Sequence, residues 1–142
     1  MSTIAPLHDP SLHAERVMVV DDEKCIRGTM YELLLAEGIR ALLAAGSSDC
    51  LRYLRNGFRG VILMDVMMPG KDGWETIRMI ENEGLMNGNL ISMLTAMDVP
   101  DSRMEGLQEV VVDYITKPFE PAELIASVRR SLALLACLDS GD

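Results

Sequence analysis

Two stretches of the sequence, VMVVDD at residues 17–22 and VILMD at residues 61–65, decide the fold. Each is a short apolar run that ends in acidic residues, as a buried strand does where it runs into a polar loop. Thr95 and Lys117 close two further apolar segments in the same way. Because the carboxyl ends of parallel strands form one crevice in an open α/β sheet, we expect these acidic, hydroxyl and ammonium groups to meet at a single site.

The rest of the chain alternates between short apolar runs and segments whose apolar residues recur at helical spacing. The runs predict strands at about residues 16–20, 40–45, 61–65, 90–94 and 110–115. The spaced segments predict helices at about 24–37, 48–56, 73–83 and 100–108, and a last helix from Pro121, with Ser47 and Asp72 as N-caps of the second and third. Because crossovers between parallel strands need a helix, this order indicates an α/β, three-layer sandwich around a five-stranded parallel sheet.

The composition bounds the class of protein. With 142 residues, 49% of them hydrophobic, the chain is long enough for one compact domain with a proper core. We expect residues 15–138 to form that domain, with a flexible N-terminal arm at 1–14 and a frayed tail at 139–142. A net charge of −9 argues against nucleic-acid binding, which needs clustered Lys and Arg.

The sequence also lacks the signals of membrane insertion or export. No apolar stretch approaches the ~20 residues of a membrane-spanning helix, and residues 1–15 lack the basic start and long apolar run of a signal peptide. A cytoplasmic location is therefore the default expectation. Cys25, Cys50 and Cys137 form no CxxC pair, so we expect reduced, semi-buried small apolar residues and no metal or redox site.

Four motifs carry a family resemblance by their order and spacing. They are Asp21-Asp22, Asp65 with residues 68–70 and 72–73, Thr95-Ala96, and YITKPF at residues 114–119. Together they resemble the receiver domain of two-component response regulators over about residues 15–137, although no single motif is very specific. The resemblance implies a flavodoxin-like fold with strand order 2-1-3-4-5. It also implies a sensor histidine kinase as partner, whose phosphohistidine supplies a phosphoryl group to Asp65.

The chemistry of the acidic residues can also be argued without the family. A carboxylate that attacks a phosphoryl group must approach another anion, so a divalent cation is needed to spread the charge. Mg²⁺ suits this task because it prefers oxygen ligands and is usually held by one or two carboxylates, with Mn²⁺ as the alternative. We therefore expect Asp21 and Asp22 to hold the metal, with Asp65 as nucleophile and further ligand.

The resemblance adds roles for three other residues. It implies that the backbone carbonyl of Met67 completes the metal ligands, that Lys117 pairs with phosphoryl oxygens, and that the Thr95 hydroxyl donates to one of them. Taken alone, each site residue has a simpler structural explanation as a helix cap, a turn former or a strand exit. The joint pattern favours the site, because three converging carboxylates without a cation would raise one another's pKa.

Two methionines are expected to set the lifetime of the phosphorylated state. Met67 and Met97 lie two residues beyond Asp65 and Thr95, at positions that in the family flank the path of attacking water. Neither side chain can orient a water molecule by hydrogen bonding, and orientation is a main contribution in phosphoryl transfer. We therefore expect a domain that catalyses its own phosphorylation and only slow dephosphorylation, and that is not a conventional enzyme.

The resemblance also implies a conformational switch. Thr95 moves towards the phosphoryl group and Tyr114 rotates into the space it leaves, which changes the face of helix four, strand five and helix five. A half-buried strand aromatic is the simpler interpretation of Tyr114. Family members commonly carry Gly-Ala where this chain has Val110-Val111. Because valine does not favour positive φ, we expect this turn to be rearranged.

The chain ends soon after the fifth helix, so we expect output by protein contact without an effector domain. The unidentified downstream protein could dock on the switch face, be a second receiver, or take the phosphoryl group onward in a phosphorelay. The segment LALLACL at residues 132–138 is apolar on nearly every side, which fits a homodimer or partner surface. A helix end packed under the domain's own core is the alternative, and the sequence does not separate the two.

Other classes of function fit less well. A flavodoxin shares the fold but needs a hydroxyl-rich phosphate loop after the first strand, where this chain has Asp21-Asp22-Glu23. A degenerate, phosphorylation-independent receiver usually lacks one or more site residues, and this chain keeps all five. A phosphatase-like hydrolase would need a second Asp as general acid, where this chain has Met67.

Overall fold

The structure, a computed structural model, describes residues 15–96 and 110–140. Its strands are β1 (Val17–Val20), β2 (Ala41–Ala44), β3 (Val61–Asp65), β4 (Leu90–Thr95) and β5 (Val111–Thr116). Its helices are α1 (Lys24–Ala36), α2 (Ser47–Arg55), α3 (Gly73–Asn82) and α4 (Pro121–Ser140). The helix predicted near residues 100–108 lies outside the described residues, so α4 corresponds to the fifth helix of the sequence-based prediction.

The five strands form one parallel sheet in the order β2-β1-β3-β4-β5. The predicted fold class is therefore confirmed, including the strand order that the family resemblance implied. β1 and β3 lie in the interior of the sheet, and all of their residues are buried. Burial on both faces explains why these two strands are continuous apolar runs without the alternation of a half-exposed strand.

The core consists of two apolar clusters, one on each face of the sheet. Successive residues of a strand point to opposite faces, so Met18 and Val20 join one cluster while Val17 and Val19 join the other. Helices α2 and α3 cover the first face, and α1 and α4 cover the second. This sandwich leaves the carboxyl ends of the strands free to carry polar residues.

The helix starts test the predicted caps. Asp72 is the N-cap of α3, and it forms a capping box in which it accepts from the Glu75 backbone while the Glu75 side chain accepts from the Asp72 backbone. The prediction for α2 was wrong: Gly46 occupies the N-cap position, and Ser47 is the first helical residue. The nearby Asp49 carboxylate instead accepts from the Ala45 N–H at 3.1 Å, so a different polar side chain bonds the loop before this helix.

The cysteines differ from the prediction of three semi-buried residues. No disulfide joins them, and only Cys50 is buried. Burial raises the pKa of the Cys50 thiol to about 12, so that thiol remains protonated and packs as a small apolar group. Cys25 and Cys137 are exposed because they lie on the outer sides of α1 and α4.

The apolar end of α4 is divided between the core and the surface. Leu135 is buried, whereas Leu134 and Leu138 are 43% and 55% exposed. The helix therefore both packs under its own domain and presents an apolar strip, and a homodimer stays a prediction. Among the helices in the described part of the chain, none has the length and apolar character needed to cross a membrane.

Val110 and Val111, where the sequence predicted a rearranged turn, lie at the start of β5. No non-glycine residue in the described ranges has a positive φ, so Val110 and Val111 keep ordinary backbone conformations. Val111 pairs with Ile91 and Asp113 pairs with Ser92, which leaves Val112 as an extra residue in a bulge. The side chain of Val112 is consequently 40% exposed at the edge of the sheet.

Candidate functional site

The carboxyl ends of β1 and β3 lie side by side and carry the acidic residues of the site. Val20 pairs with Met64 in the parallel register, so the next residues, Asp21 and Asp65, lie side by side at the carboxyl ends of these strands. The site therefore lies along this edge, which is formed by the strand ends. Asp21 and Asp65 are both buried, with exposures of 0% and 3%, whereas Asp22 is exposed. The structure thus brings together the three carboxylates that the sequence placed after two separate strands.

Lys117 reaches the same edge from the end of β5. Its backbone N–H donates to the Thr95 carbonyl at 2.7 Å, which ties it to the end of β4. Its Nζ lies 3.1 Å from Asp21 Oδ2 and 3.2 Å from Asp65 Oδ1. A buried charge is costly unless it is paired, and this single ammonium pairs with two buried carboxylates at once.

The electrostatic environment changes the affinity of the site for protons. Burial raises the pKa of the Asp65 carboxyl and the charge of Asp21 raises it further, against the lowering effects of Lys117 and the Met67 backbone N–H. Burial lowers the pKa of Lys117, but the charges and hydrogen bonds of Asp65 and Asp21 outweigh this, and the pKa is raised overall. Burial and the charge of Asp21 thus both oppose ionisation of Asp65, and a bound cation would offset both effects.

The donor atoms at this edge fit a magnesium ion. One oxygen from each of Asp21, Asp22 and Asp65 can be chosen so that all three lie within 4.8 Å of one another. Carboxylate oxygens are the ligands that Mg²⁺ prefers, and they also suit Mn²⁺. Asp21 already accepts from the Glu23 N–H through Oδ1 and from Lys117 through Oδ2. The exposed Asp22 is therefore the carboxylate most accessible to an ion from solvent.

Asp65 has two carboxylate oxygens with different surroundings. Oδ1 accepts hydrogen bonds from Lys117 Nζ at 3.2 Å and from the Met67 N–H at 3.3 Å. Oδ2 accepts none from residues 15–96 or 110–140. One oxygen is thus held in place while the other can act as a nucleophile.

Three of the remaining predicted residues lie on β4, on β5 and in the loop after β3. Thr95 ends β4 and lies half-buried beside Thr116 in the register of β5. Met67 follows Asp65 by two residues and its side chain is exposed. Tyr114 lies on β5 and is 42% exposed. Met97, the second residue predicted to control hydrolysis, lies outside the described residues.

Two residues support the site in ways that the sequence did not indicate. A Cβ atom on Gly73 would lie 2.6 Å from the backbone oxygen of Asp65, so α3 can pack this closely only with glycine there. Arg27 donates from Nη1 to the backbone oxygen of Asp21 at 2.7 Å. Gly73 belongs to one of the motifs that carry the family resemblance, but that motif does not reveal the close packing, and a basic residue in an amphipathic helix is too common to be distinctive.

Comparison with known proteins places this geometry in a family. Residues 17–129 match the family described as the response regulator receiver domain. The chain is 34% identical over 116 residues to the phosphate regulon transcriptional regulatory protein PhoB of Klebsiella pneumoniae, covering 82% of this chain and 51% of that protein. It is 36% identical over 114 residues to the transcriptional regulatory protein DltR of Streptococcus agalactiae, covering 80% and 50% respectively. The chain thus spans about half the length of these curated relatives.

Solved structures give the same result over nearly their full length. A CheY-like response regulator receiver domain protein from Methanospirillum hungatei matches with a TM-score of 0.80 and 44% identity, covering 84% of this chain and 95% of that one. The chemotaxis protein CheY4 of Vibrio cholerae matches with a TM-score of 0.72 and 29% identity, covering 82% and 97%. The strand order, the acidic edge and these matches agree. The chain belongs to the receiver domains of two-component response regulators.

Proposed function

We propose that Asp65 accepts a phosphoryl group from the phosphohistidine of a sensor histidine kinase and that this controls a protein-binding face. Receiver domains are phosphorylated by histidine kinases and generally bind Mg²⁺ at an acidic pocket. The observation that carries the proposal is the asymmetric environment of Asp65, in which Lys117 holds Oδ1 while Oδ2 accepts no hydrogen bond from the residues that the structure describes. A purely structural buried carboxylate would be expected to have both oxygens satisfied.

The proposed reaction is a phosphoryl transfer between the donor imidazole and the Asp65 carboxylate. Oδ2 attacks phosphorus, an O–P bond forms, and the P–N bond breaks. The electron pair of that bond stays with the imidazole, which takes up a proton. Mg²⁺, when held by Asp21, Asp22, Asp65 and the Met67 carbonyl, supplies charge neutralisation for the phosphoryl oxygens.

Two side chains would then hold the product. Lys117 already contacts Asp65, so its ammonium can turn to a phosphoryl oxygen without a large displacement. The Thr95 hydroxyl, at the end of the neighbouring strand, would donate to a second oxygen. These contacts exist only in the phosphorylated protein, so they favour the conformation that allows them.

The test is the intact mass of the protein after incubation with acetyl phosphate and MgCl₂. We expect one phosphoryl adduct in the wild type that disappears in EDTA and in Asp65→Asn. The matched control is Asp49→Asn, at an aspartate that pairs with Arg52 on α2, and it should still form the adduct. A folded wild type that forms no adduct with saturating donor would overturn the proposal and favour a phosphorylation-independent receiver. Transfer of the adduct to a histidine phosphotransfer protein would identify a phosphorelay intermediate.

Slow dephosphorylation is part of the proposal. The exposed thioether of Met67 lies two residues from the acceptor and offers water no strong hydrogen-bonding partner. Met67→Asn combined with Met97→Glu should shorten the lifetime of the adduct about tenfold or more, because polar groups can orient the water. The double variant Met67→Leu with Met97→Leu should decay as the wild type does. Equal decay in all three proteins would contradict this role for the two positions.

The protein-binding face is proposed to include β5 and the adjoining side of α4. Val112 and Tyr114 are both about two-fifths exposed on this edge strand. Incorporation of 3-fluorotyrosine allows ¹⁹F NMR to follow the ring of Tyr114 when the phosphoryl mimic BeF₃⁻ and Mg²⁺ are added. We expect the Tyr114 signal to shift and that of Tyr53 to remain, because the Tyr53 hydroxyl is bound to the Leu43 carbonyl at 3.2 Å. A Tyr114 signal that does not move would contradict the switch.

A further inference from the structure

The loop between β1 and α1 is held by contacts that converge on Asp21. Its backbone N–H donates to the Ala44 carbonyl at 3.1 Å, and its carboxylate Oδ1 accepts from the Glu23 N–H at 2.9 Å. Its backbone oxygen accepts from Arg27 Nη1 at 2.7 Å. Helix α1 has Glu23 at its N-cap, and that residue makes no side-chain cap hydrogen bond. The guanidinium of Arg27 therefore ties the first turns of α1 to the end of β1.

The environment of Arg27 favours a strong hydrogen bond to the backbone oxygen of Asp21. The side chain is partly buried, and a hydrogen bond from a charged group is shorter and stronger than a neutral one. Asp22 lies between Asp21 and Glu23, which are joined by the hydrogen bond from the Glu23 N–H to the Asp21 carboxylate. Arg27 holds the backbone oxygen of Asp21, and the side chain of Asp22 is exposed. The backbone that carries the Asp22 carboxylate is consequently held through the contacts of its two neighbours.

The charge of Arg27 and its hydrogen bond to the Asp21 backbone are expected to affect metal binding in opposite directions. A positive charge close to a cation site would in any case repel the cation. Electrostatics alone would thus make removal of Arg27 favourable for metal binding.

We propose that Arg27 is a positioning residue for the metal site. By fixing the backbone oxygen of Asp21 it directs the Asp21 and Asp22 carboxylates towards Asp65, and so sets the affinity for Mg²⁺. The inference rests on the proposed metal site. Arg27 contacts neither the acceptor carboxylate nor any group that would be transferred. Its removal should therefore change the affinity for Mg²⁺ more than the rate of phosphoryl transfer with metal bound.

The test is isothermal titration calorimetry with MgCl₂ on wild type, Arg27→Met and Arg27→Lys. The matched control is Arg52→Met, which removes the same charge from the exposed surface of α2. We expect Arg27→Met to weaken Mg²⁺ binding about tenfold, as loss of supporting hydrogen bonds does at other metal sites, with Arg27→Lys between it and the wild type. Arg52→Met should stay within about twofold of the wild type.

The direction in which Arg27→Met changes the affinity for Mg²⁺ distinguishes a positioning role of Arg27 from an effect of its charge. Equal or tighter binding of Mg²⁺ by folded Arg27→Met would overturn the inference while leaving the metal site intact. A wild type that binds no Mg²⁺ would overturn both. Near-ultraviolet circular dichroism in EDTA establishes that each variant is folded. If Arg27→Met does not fold, Arg27→Lys carries the test, because it keeps the charge and loses the guanidinium geometry. Wild-type affinity in that variant would overturn the inference.

Discussion

The two loops that bring carboxylates into the site are held in different ways. The β3–α3 loop is held by groups outside the chemistry: Asp72 and Glu75 cap the helix reciprocally, and Gly73 lets α3 pack against the backbone of Asp65. The β1–α1 loop has no side-chain cap on its helix. Its contacts instead pass through Asp21, which is itself a proposed metal ligand, and through Arg27.

This difference suggests a division of roles. We expect the backbone at the proposed nucleophile to stay in place whatever is bound, because the Asp72–Glu75 cap and the Gly73 contact do not change charge during the reaction. The proposed metal loop shares its supports with the metal, so binding and local structure are coupled there. Disruption of the β3–α3 loop should therefore cost fold stability, whereas disruption of the β1–α1 loop should mainly cost metal affinity.

The largest effect is expected from Gly73→Ala. The added Cβ would lie 2.6 Å from the Asp65 backbone oxygen and 3.0 Å from Val66 Cα, so the backbone of one element must move. We expect a loss of about 3 kcal/mol in the free energy of unfolding, the upper part of the range for overpacked sites. Urea unfolding followed by circular dichroism measures it.

Gly28→Ala is the matched control on the other side of the comparison. Gly28 lies in α1, and a Cβ there would meet nothing within 4 Å. Alanine is a better helix former, so we expect a gain of up to about 1 kcal/mol. A gain in stability at Gly73 as well as at Gly28 would show that the close contact at Gly73 does not constrain the fold.

An intermediate effect is expected from removing the cap of α3. Asp72→Ala loses the acceptor for the Glu75 N–H, which Asp72 Oδ1 binds at 2.9 Å. Loss of an N-cap costs about 1 kcal/mol and up to about 2. Glu23→Ala removes the N-cap side chain of α1, which makes no cap hydrogen bond, so we expect a change below about 0.5 kcal/mol in the same urea experiment. Equal losses would mean that the two helix starts depend on their caps alike.

The sequence predicted most of the fold and the convergence of the three carboxylates with Lys117. The apolar runs before Asp21 and Asp65 are long enough, and uniform enough, to identify buried parallel strands. Strand ends then place side chains at a common edge without any knowledge of packing. Asp72 was recognisable as a cap because an N-cap side chain bonds a backbone N–H only three positions along the chain, here that of Glu75.

The residues that were missed depend on contacts between distant parts of the chain. Ser47 has the chemistry of a cap, but the chain enters α2 one residue earlier and Asp49 bonds the preceding loop. Gly73 matters only because α3 crosses close to β3, and Arg27 only because its side chain reaches back to Asp21. Leu135 and Leu134 are neighbours of the same residue type, and only packing decides which is buried.

The smallest effect is expected from removing the charge of Asp65, and it should appear in how the free energy of unfolding changes with pH. Burial and the charge of Asp21 raise the pKa of Asp65 above its ordinary value of 3.8, so the folded protein binds this proton more tightly than the unfolded chain does. The contribution of Asp65 to the free energy of unfolding should therefore fall as the pH rises from below 3.8 through the folded-state pKa of this group. Asp65→Asn cannot ionise and should not show this loss. Its stability advantage in EDTA should grow across that window and stay constant above it.

Asp22→Asn is the comparison at the other loop, where the removed charge already lies in solvent, and its advantage should be smaller. Urea unfolding at a series of pH values, without metal, measures both variants against the wild type. A larger gain for Asp65→Asn would mean that the Asp65 carboxylate is held in place against an electrostatic cost, which a bound cation can offset. Equal gains would show that the ammonium of Lys117 already compensates the buried charge of Asp65. The electrostatic cost at Asp65 would then give no reason to expect a cation at the carboxyl ends of the strands.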